Sequence, residues 1–200
     1  MTDTNLGAAL PLPVASAEFL DRLARRRSAP AQALAGPGPS EAEINQILQI
    51  GARTPDHGKL FPWRFVVLGP QSRAELARQL APLADRQPGP DKARAVLGKL
   101  TPAPVTILVV STPVPSQKVP AWEQQLSAGA VCMNLEHAAN GLGYSASWIT
   151  DWYSYDPEAK ALYGVGPEEQ VAGFIHLGTL AEAPLERPRP DLSLKVERRP

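Results

Sequence analysis

The stretch WEQQLSAGAVCMNLEHAANGL, residues 122–142, predicts a long helix. Small and apolar residues fall on most of its faces, and it carries few charges. Gly141 and Gly143 mark its end, because glycine commonly terminates helices. A helix that is apolar nearly all round is typical of the middle of a structure or of an interface between chains. We therefore expect this helix to lie at the centre of the fold or at an interface.

Four apolar stretches on either side of this helix predict strands, at residues 65–68, 105–110, 144–149 and 171–177. The clearest is the second, a β-branched run bounded by prolines. Ser40 and Ser72 each open an S-x-x-E capping box, which predicts a helix start at each serine. Helices and strands follow one another without a regular βαβα alternation, which favours an α+β fold over a doubly wound parallel sheet.

The chain divides into three predicted regions: an N-terminal extension over residues 1–15, one folded domain over residues 16–180 and an extended tail over residues 181–200. The tail holds four prolines and many charges, with little to bury. A segment of this kind is ordered only where it packs on something else.

Composition argues against several classes of partner. Twenty basic residues balance twenty acidic ones, so no global field attracts nucleic acid or a membrane surface. The longest apolar runs are far shorter than the ~20 residues of a membrane helix. The first residues lack the pattern of a secretory signal, and the single cysteine, Cys132, cannot form an internal disulfide. We expect a cytoplasmic protein without nucleic-acid or membrane partners.

The common catalytic motifs are missing from the sequence. No G-x-G-x-x-G follows a predicted strand, and no P-loop or G-x-S-x-G elbow occurs. His137 lies five residues after Cys132 and one after Glu136, spacings that do not gather the three as metal ligands on a helix face. We expect no metal site. The lack of a nucleophile–base set argues against hydrolysis, whereas chemistry on a bound cofactor stays open.

A basic segment, Arg25-Arg26-Arg27-Ser28, ends the first predicted helix. It suits a solvated patch at the negative end of the helix dipole. It equally suits a phosphate site, because guanidinium groups bind phosphate oxygens in pairs and the serine hydroxyl adds a donor. The residues by themselves leave both interpretations open.

The sequence ARTPDHGKLFPWRF, residues 52–65, joins a helix to a strand. Turn chemistry explains its Pro-Asp pair and its glycine. It does not explain why His57 and Lys59 flank that glycine.

These two segments resemble the signature segments of the short branch of the nitroreductase family. Three further segments resemble the family in the same order: KVPAWEQQLSAGA at 118–130, GLGYSASWITDW at 141–152 and GFIHLGT at 173–179. Each motif is weak alone, but five in register form a strong signal. The resemblance implies a mixed central β-sheet flanked by helices, in an intertwined homodimer with the long helix at its interface.

The resemblance also implies FMN, bound in two pockets shared between subunits, with NAD(P)H as co-substrate. The family motifs carry cofactor contacts onto residues from both subunits. These are Arg26, Arg27 and Ser28 at the phosphate and ribityl end, Arg53 and His57 from the other subunit, Ser147, Trp148 and Ile149 along the isoalloxazine ring, and Arg187 or Arg189 of the tail.

The implied activity is hydride transfer from NAD(P)H through the flavin to a nitroaromatic, a quinone or a similar electrophilic acceptor, with ping-pong turnover. No catalytic side chain is expected, because the chemistry lies on FMN. The alternatives are a flavin-modifying or dehalogenating relative, an FMN-binding protein or sensor without turnover, and a plain interaction module. Phe61 departs from the polar residue that the family usually has before Pro-Trp, and the register of flavin contacts at 145–150 is open.

Overall fold

A four-stranded sheet forms the centre of the computed structural model, which describes residues 7–199. Its strands are β1 (Trp63–Leu68), β2 (Val105–Ser111), β3 (Ser145–Ile149) and β4 (Gln170–Gly178). Their order across the sheet is β1-β2-β4-β3. Helices cover both faces, so the predicted α+β class is confirmed.

The sheet differs from the expected mixed one, because all three ladders within residues 7–199 are antiparallel. The connection between β1 and β2 shows the reason. It consists of two helices, and the second brings the chain back to the end of the sheet where β1 finished, so that Leu68 pairs with Thr106. A single crossover helix would have carried the chain to the opposite end and made the pair parallel.

Six α-helices occur within residues 7–199. They are α1 (Ala17–Arg25), α2 (Glu41–Gly51), α3 (Pro70–Ala84), α4 (Pro90–Leu97), α5 (Ala121–Gly141) and α6 (Pro157–Leu162). One face of the sheet packs on α2 and α5, with Ile47, Val131 and Leu135 in a buried cluster. The other face packs on α3, α4 and α6, with Leu80 and Phe174 in a second cluster.

The long helix α5 crosses one face of the sheet, as its sequence predicts. Its inner faces are buried against α2 and strands β2, β3 and β4. Its outer face carries a continuous exposed or half-buried line at residues 122, 126, 130, 133 and 137. Trp122 and Leu126 of this line are 66% and 54% exposed. A single chain therefore leaves an apolar stripe of its central helix open to solvent.

The structure confirms one of the two predicted capping boxes and not the other. Ser40 and Glu43 form the predicted box at the start of α2. The box predicted at Ser72 is wrong, because α3 begins two residues earlier, at Pro70, with Gly69 as its N-cap. Proline at the first helical position has its backbone angle already set for a helix and lacks only an N–H that would have no partner there.

Both ends of the described chain expose apolar side chains. None of the residues of α1 is buried, and Phe19 and Leu20 of that helix are 58% and 64% exposed. The tail is exposed from residue 181 to residue 199, with Leu185 at 86% and Leu194 at 79%. The three-region division of the chain stays a prediction. No helix within residues 7–199 is long and apolar enough to cross a membrane.

Candidate functional site

Residues 26–28, here called the arginine segment, lie beside the start of β3. They follow α1, and the next residue, Ala29, donates its backbone N–H to the carbonyl of Ala146 on β3 at 2.9 Å. Further along, Ala35 and Thr179 exchange two backbone hydrogen bonds of 2.9 Å. The segment is thereby held against the sheet on its C-terminal side, and two of the sequence motifs that are far apart in the chain become neighbours.

Within residues 7–199, β3 is one of the two edge strands of the sheet and pairs with β4 alone. Backbone groups in a strand point alternately to the two sides. The bond from Ala29 shows that Ala146 faces outward, so Trp148 also directs its backbone groups outward. The backbone groups of Ser147 and Ile149 point toward β4. Of the three predicted ring contacts, Trp148 is the one whose backbone is directed to the open edge.

The side chain of Trp148 packs across the neighbouring strand β4. Its indole lies directly over Gly173 of β4, where an added Cβ would come within 2.1 Å of the ring nitrogen. The indole N–H donates to the carbonyl of Ala172 at 3.0 Å. The ring atom Cη2 lies near Gly129 of α5, where an added Cβ would meet it at 3.9 Å. The absence of a side chain at Gly173 therefore makes the space that this indole fills.

The tail returns to the arginine segment. Arg27 donates from Nε to the carbonyl of Leu185 at 2.8 Å. Arg189 donates from Nη2 to the carbonyl of Arg26 at 3.2 Å. The described contact of Arg187 is a bond from its backbone N–H to the Glu186 carboxylate. Of the two tail arginines considered from the sequence, Arg189 is the one whose guanidinium lies against the arginine segment.

The loop over residues 54–62, here called the histidine loop, has a constrained backbone. Lys59 and Phe61 have positive φ angles of 56° and 48°, next to Gly58 at 87°. Residues other than glycine seldom adopt this left-handed region of φ. Those that do adopt it cluster at functional sites. The carboxylate of Asp56 holds the conformation by accepting the backbone N–H of Leu60 at 2.6 Å.

Polar bonds attach the histidine loop to α5, at Asn134, which donates to Thr54 Oγ1 at 2.7 Å, and in the N-terminal half of the helix. Trp63 donates its indole N–H to Ser127 at 3.2 Å. The hydroxyl of Ser127 donates to the carbonyl of Pro55 at 2.9 Å. His57 Nδ1 lies 2.8 Å from Glu123 Oε2, and both side chains are exposed.

His57 is separated from the arginine segment within one chain. The arginine segment contacts α5 at Glu136, whereas His57 contacts it at Glu123. These residues lie thirteen positions apart on α5, which is about 20 Å along a helix. One chain therefore brings Arg26, Arg27 and Ser28 to β3, but it does not bring His57 to them. Arg53 is exposed just past the end of α2, and the next residue, Thr54, accepts a hydrogen bond from Asn134 of α5 at 2.7 Å.

Glu136 is the residue at this site that sequence reasoning missed. Its side chain is 2% exposed, and its Oε2 lies 3.4 Å from Nη1 of Arg26. Burial raises the pKa of Glu136, against Arg26 and the nearby backbone N–H of Trp148, which lower it. A charged residue within an otherwise apolar helix is a signal that the sequence did contain. From the sequence, Glu136 was considered only as a metal ligand, and its contact with Arg26 was not predicted.

The neighbouring ionisable groups of α5 are shifted by the same environment. Burial lowers the pKa of His137, and Arg26 lowers it further. Burial raises the pKa of Cys132 to about 12, and Glu136 adds to that rise. The thiol therefore stays protonated and inert at neutral pH. No group of three or more potential metal ligands occurs within residues 7–199.

Known proteins share both the sequence pattern and the fold. The model of the nitroreductase family matches residues 23–179. The Escherichia coli (strain K12) protein YdjA, whose name describes a provisional NAD(P)H nitroreductase, is 33% identical over 164 residues, which span 81% of this chain and 88% of the relative. A similarly named protein of Haemophilus influenzae is 31% identical over 148 residues, with 73% and 80% covered.

Solved structures agree with this assignment. A nitroreductase-like protein from Bacillus cereus superposes with a TM-score of 0.77 at 19% identity, covering 95% of this chain and 98% of that one. A Bacteroides fragilis nitroreductase described with bound FMN gives a TM-score of 0.71 at 23% identity, covering 92% and 99%. The family match extends over most of the chain and includes the arginine segment, the histidine loop and β3. The chain therefore belongs to the nitroreductase family.

Proposed function

We propose that this protein is an FMN-dependent oxidoreductase that takes hydride from NAD(P)H. The observation that carries the proposal is the arginine segment, which lies beside the open edge of β3. Relatives named as NAD(P)H nitroreductases and a structural neighbour described with FMN support the choice of cofactor and donor.

The residues present fit the two ends of FMN. At one end, Arg26 and Arg27 supply guanidinium donors that match phosphate oxygens, and Ser28 adds a hydroxyl. Arg189 lies against the same segment and is itself paired with Glu186 at 2.9 Å. At the other end, the outward backbone carbonyl of Trp148 is available to a flat isoalloxazine edge, while its N–H lies beside the Glu136 carboxylate.

The flavin, when bound, supplies the chemistry by accepting hydride from a nicotinamide and passing electrons to an acceptor. The protein's part is to bind, orient and stabilise charge. Donors near the pyrimidine edge stabilise negative charge on the reduced ring, and we assign that role to Arg53 or His57. Glu123 orients His57 through the 2.8 Å contact with its Nδ1.

The proposal includes a homodimer in which each site is shared. The points on α5 that Arg26 and His57 contact are about 20 Å apart, so a second chain has to bring a histidine to the arginine segment. The exposed apolar stripe of α5 and the unburied α1 provide surface for that association. Large exposed apolar patches are typical of protein–protein interfaces.

The tail gives a test of this dimer. We propose that residues 181–199 pack on the partner subunit. A chain that ends at residue 180 should then dissociate at a higher protein concentration than the full chain, as measured by sedimentation. Equal dissociation constants for the two would remove the tail from the interface.

The proposed acceptors are nitroaromatics, quinones and similar flat electrophiles. A pocket that takes the nicotinamide and the acceptor in turn predicts ping-pong kinetics, with parallel lines in double-reciprocal plots. Intersecting lines would contradict a single shared pocket. We place the protein in the reducing cytoplasm, where its one buried free cysteine, Cys132, needs no partner.

The deciding experiment is the visible absorbance spectrum of the purified protein before and after NAD(P)H is added without oxygen. We expect a flavin spectrum that bleaches. A flavin that stays oxidised would indicate binding without turnover. A protein that is colourless and cannot be reconstituted with FMN would reject the proposal.

Two arginine variants make the cofactor assignment specific. Arg27→Ala should lose most of its FMN during purification, because Arg27 belongs to the arginine segment. Arg78→Ala is the matched control, since Arg78 is an exposed arginine on α3 that pairs only with Glu75 among the described residues. Equal flavin content in both variants would remove Arg27 from the site.

A further inference from the structure

Glu136 carries a buried carboxyl group that the proposed chemistry does not use. Its side chain is 2% exposed, and one carboxylate oxygen, Oε1, has no hydrogen-bond partner within the described part of the chain. The other oxygen, Oε2, lies 3.4 Å from Nη1 of Arg26. An ion pair buried in this way is usually no more stable than well-packed apolar residues of similar size. Stability alone therefore does not explain why α5 has a glutamate here.

Arg26 is held from its inner side. Its two described side-chain bonds both start from Nη1, one to Glu136 and one to Ser28 Oγ at 3.3 Å. A guanidinium is planar and has five N–H donors in a fixed arrangement. The donors on Nε and Nη2 are therefore left for another acceptor, and the side chain is still 20% exposed.

We infer that Glu136 is a positioning residue: it fixes Arg26 so that the outer edge of this guanidinium is aimed at the phosphate of the cofactor. This inference rests on the proposed function, because it names FMN as the ligand. Arginine has high rotamer entropy, and a side chain that is already ordered loses less of it when an anion binds. Glu136 acts through Arg26 and does not itself touch the cofactor.

The test distinguishes an effect on binding of the FMN phosphate from an effect on binding of the flavin ring. Full-length protein is freed of flavin and titrated with FMN and with riboflavin, which has the same ring and no phosphate. Glu136→Leu keeps a side chain of similar size but gives Arg26 no acceptor. We expect its dissociation constant for FMN to rise about three- to tenfold, the affinity equivalent of ordering one long side chain. The constant for riboflavin should stay within about twofold on the same reasoning.

Two further variants test whether Glu136 acts through Arg26. Glu136→Gln retains an amide oxygen that accepts from Arg26, so it should recover most of the FMN affinity. Arg26→Ala should weaken FMN binding by itself, and adding Glu136→Leu to it should have no further effect. If the leucine variant does not fold, Glu136→Ala replaces it in the same titrations.

Three results would overturn the inference. Equal weakening of FMN and riboflavin would mean that Glu136 only supports the fold. Tighter FMN binding in Glu136→Leu would mean that its carboxylate acts as a repelling charge. A full effect of Glu136→Leu in the Arg26→Ala background would mean that it does not act through Arg26. A wild-type chain that binds neither flavin would reject the proposed function, and this inference with it.

Discussion

Gly173 of β4 lies directly beneath the indole of Trp148, and replacing it with alanine tests this packing. The added Cβ would lie 2.1 Å from the ring nitrogen and 2.3 Å from Cδ1. Non-bonded contacts of a Cβ are not found below about 3 Å. The ring therefore has to move by about an ångström, which disturbs its 3.0 Å bond to the carbonyl of Ala172.

The expected cost follows from three effects. Overpacking costs about 1–3 kcal/mol, and weakening the indole hydrogen bond costs about 1 kcal/mol. The lower entropy of unfolded alanine relative to glycine returns about 0.5–1 kcal/mol. We expect Gly173→Ala to lower the free energy of unfolding by about 1–3 kcal/mol. For a chain of this size the melting temperature falls by about 2–4 °C for each kcal/mol.

The matched control is Gly129→Ala on the opposite side of the same indole. There an added Cβ meets the ring at 3.9 Å, which is ordinary contact. Alanine is the better helix former by up to about 1 kcal/mol, so this variant should be as stable as the wild type or more so.

Circular dichroism melting at one fixed protein concentration measures both variants, since the melting temperature of an oligomer depends on concentration. In a Trp148→Ala background the cost of Gly173→Ala should largely disappear. Gly173→Ala melting with or above the wild type would refute the packing argument. A cost that persists without Trp148 would assign the strain to another contact.

Three further predictions concern buried polar groups. The pKa of His176 is lowered to about 4, mainly by burial and also by Arg73, from an ordinary value of 6.5. The contribution of this neutral histidine to folding is complete above pH 6.5 and is lost as the pH falls toward 4. The free energy of unfolding should therefore drop by about 3 kcal/mol across that window. In urea unfolding, His176→Gln should show a smaller change of this free energy with pH. The same change with pH as in the wild type would contradict the assignment of the effect to His176. Arg73→Met removes four bonds from a buried guanidinium to backbone carbonyl groups and should cost about 3–5 kcal/mol by urea unfolding. The control Arg78→Met, at an exposed arginine, should cost less than about 0.5 kcal/mol, and similar losses in both variants would contradict the prediction. Ser127→Ala breaks the link between Trp63 and the histidine loop and should lower the free energy of unfolding by about 1–2 kcal/mol. Amide hydrogen exchange in that loop should become faster. Unchanged exchange there would show that other contacts hold the loop.

Much of the local structure was predictable from the residues. Ser16, Ser40 and Asp156 each cap the helix that follows them, because a capping serine or aspartate bonds to a backbone group two or three positions away. The strand around residues 105–110 was predictable because a β-branched run between prolines has few alternatives. The start predicted at Ser72 was wrong because the residues just before it also favour a helix start. Gly69 is the N-cap, and Pro70 begins the helix two residues before Ser72.

The site was predictable in its parts and not in its arrangement. The arginine segment and the histidine loop were recognised by resemblance, and their residues stay candidate cofactor contacts. The placement of Arg26 and His57 at opposite ends of α5 could not be predicted from the sequence. Neither could the contact between Glu136 and Arg26, because the two residues are 110 positions apart.

The sequence by itself determined the elements, the apolar central helix and the family, since caps, periodicity and motifs act over a few residues. Only the tertiary structure decided that the sheet is antiparallel within the described chain, that β3 has an open edge, and that Arg26 is held by a buried carboxylate. Strand pairing and burial depend on which distant surfaces meet. That is fixed by packing the whole chain at once, because each buried polar group must find a partner that its neighbours in sequence do not supply.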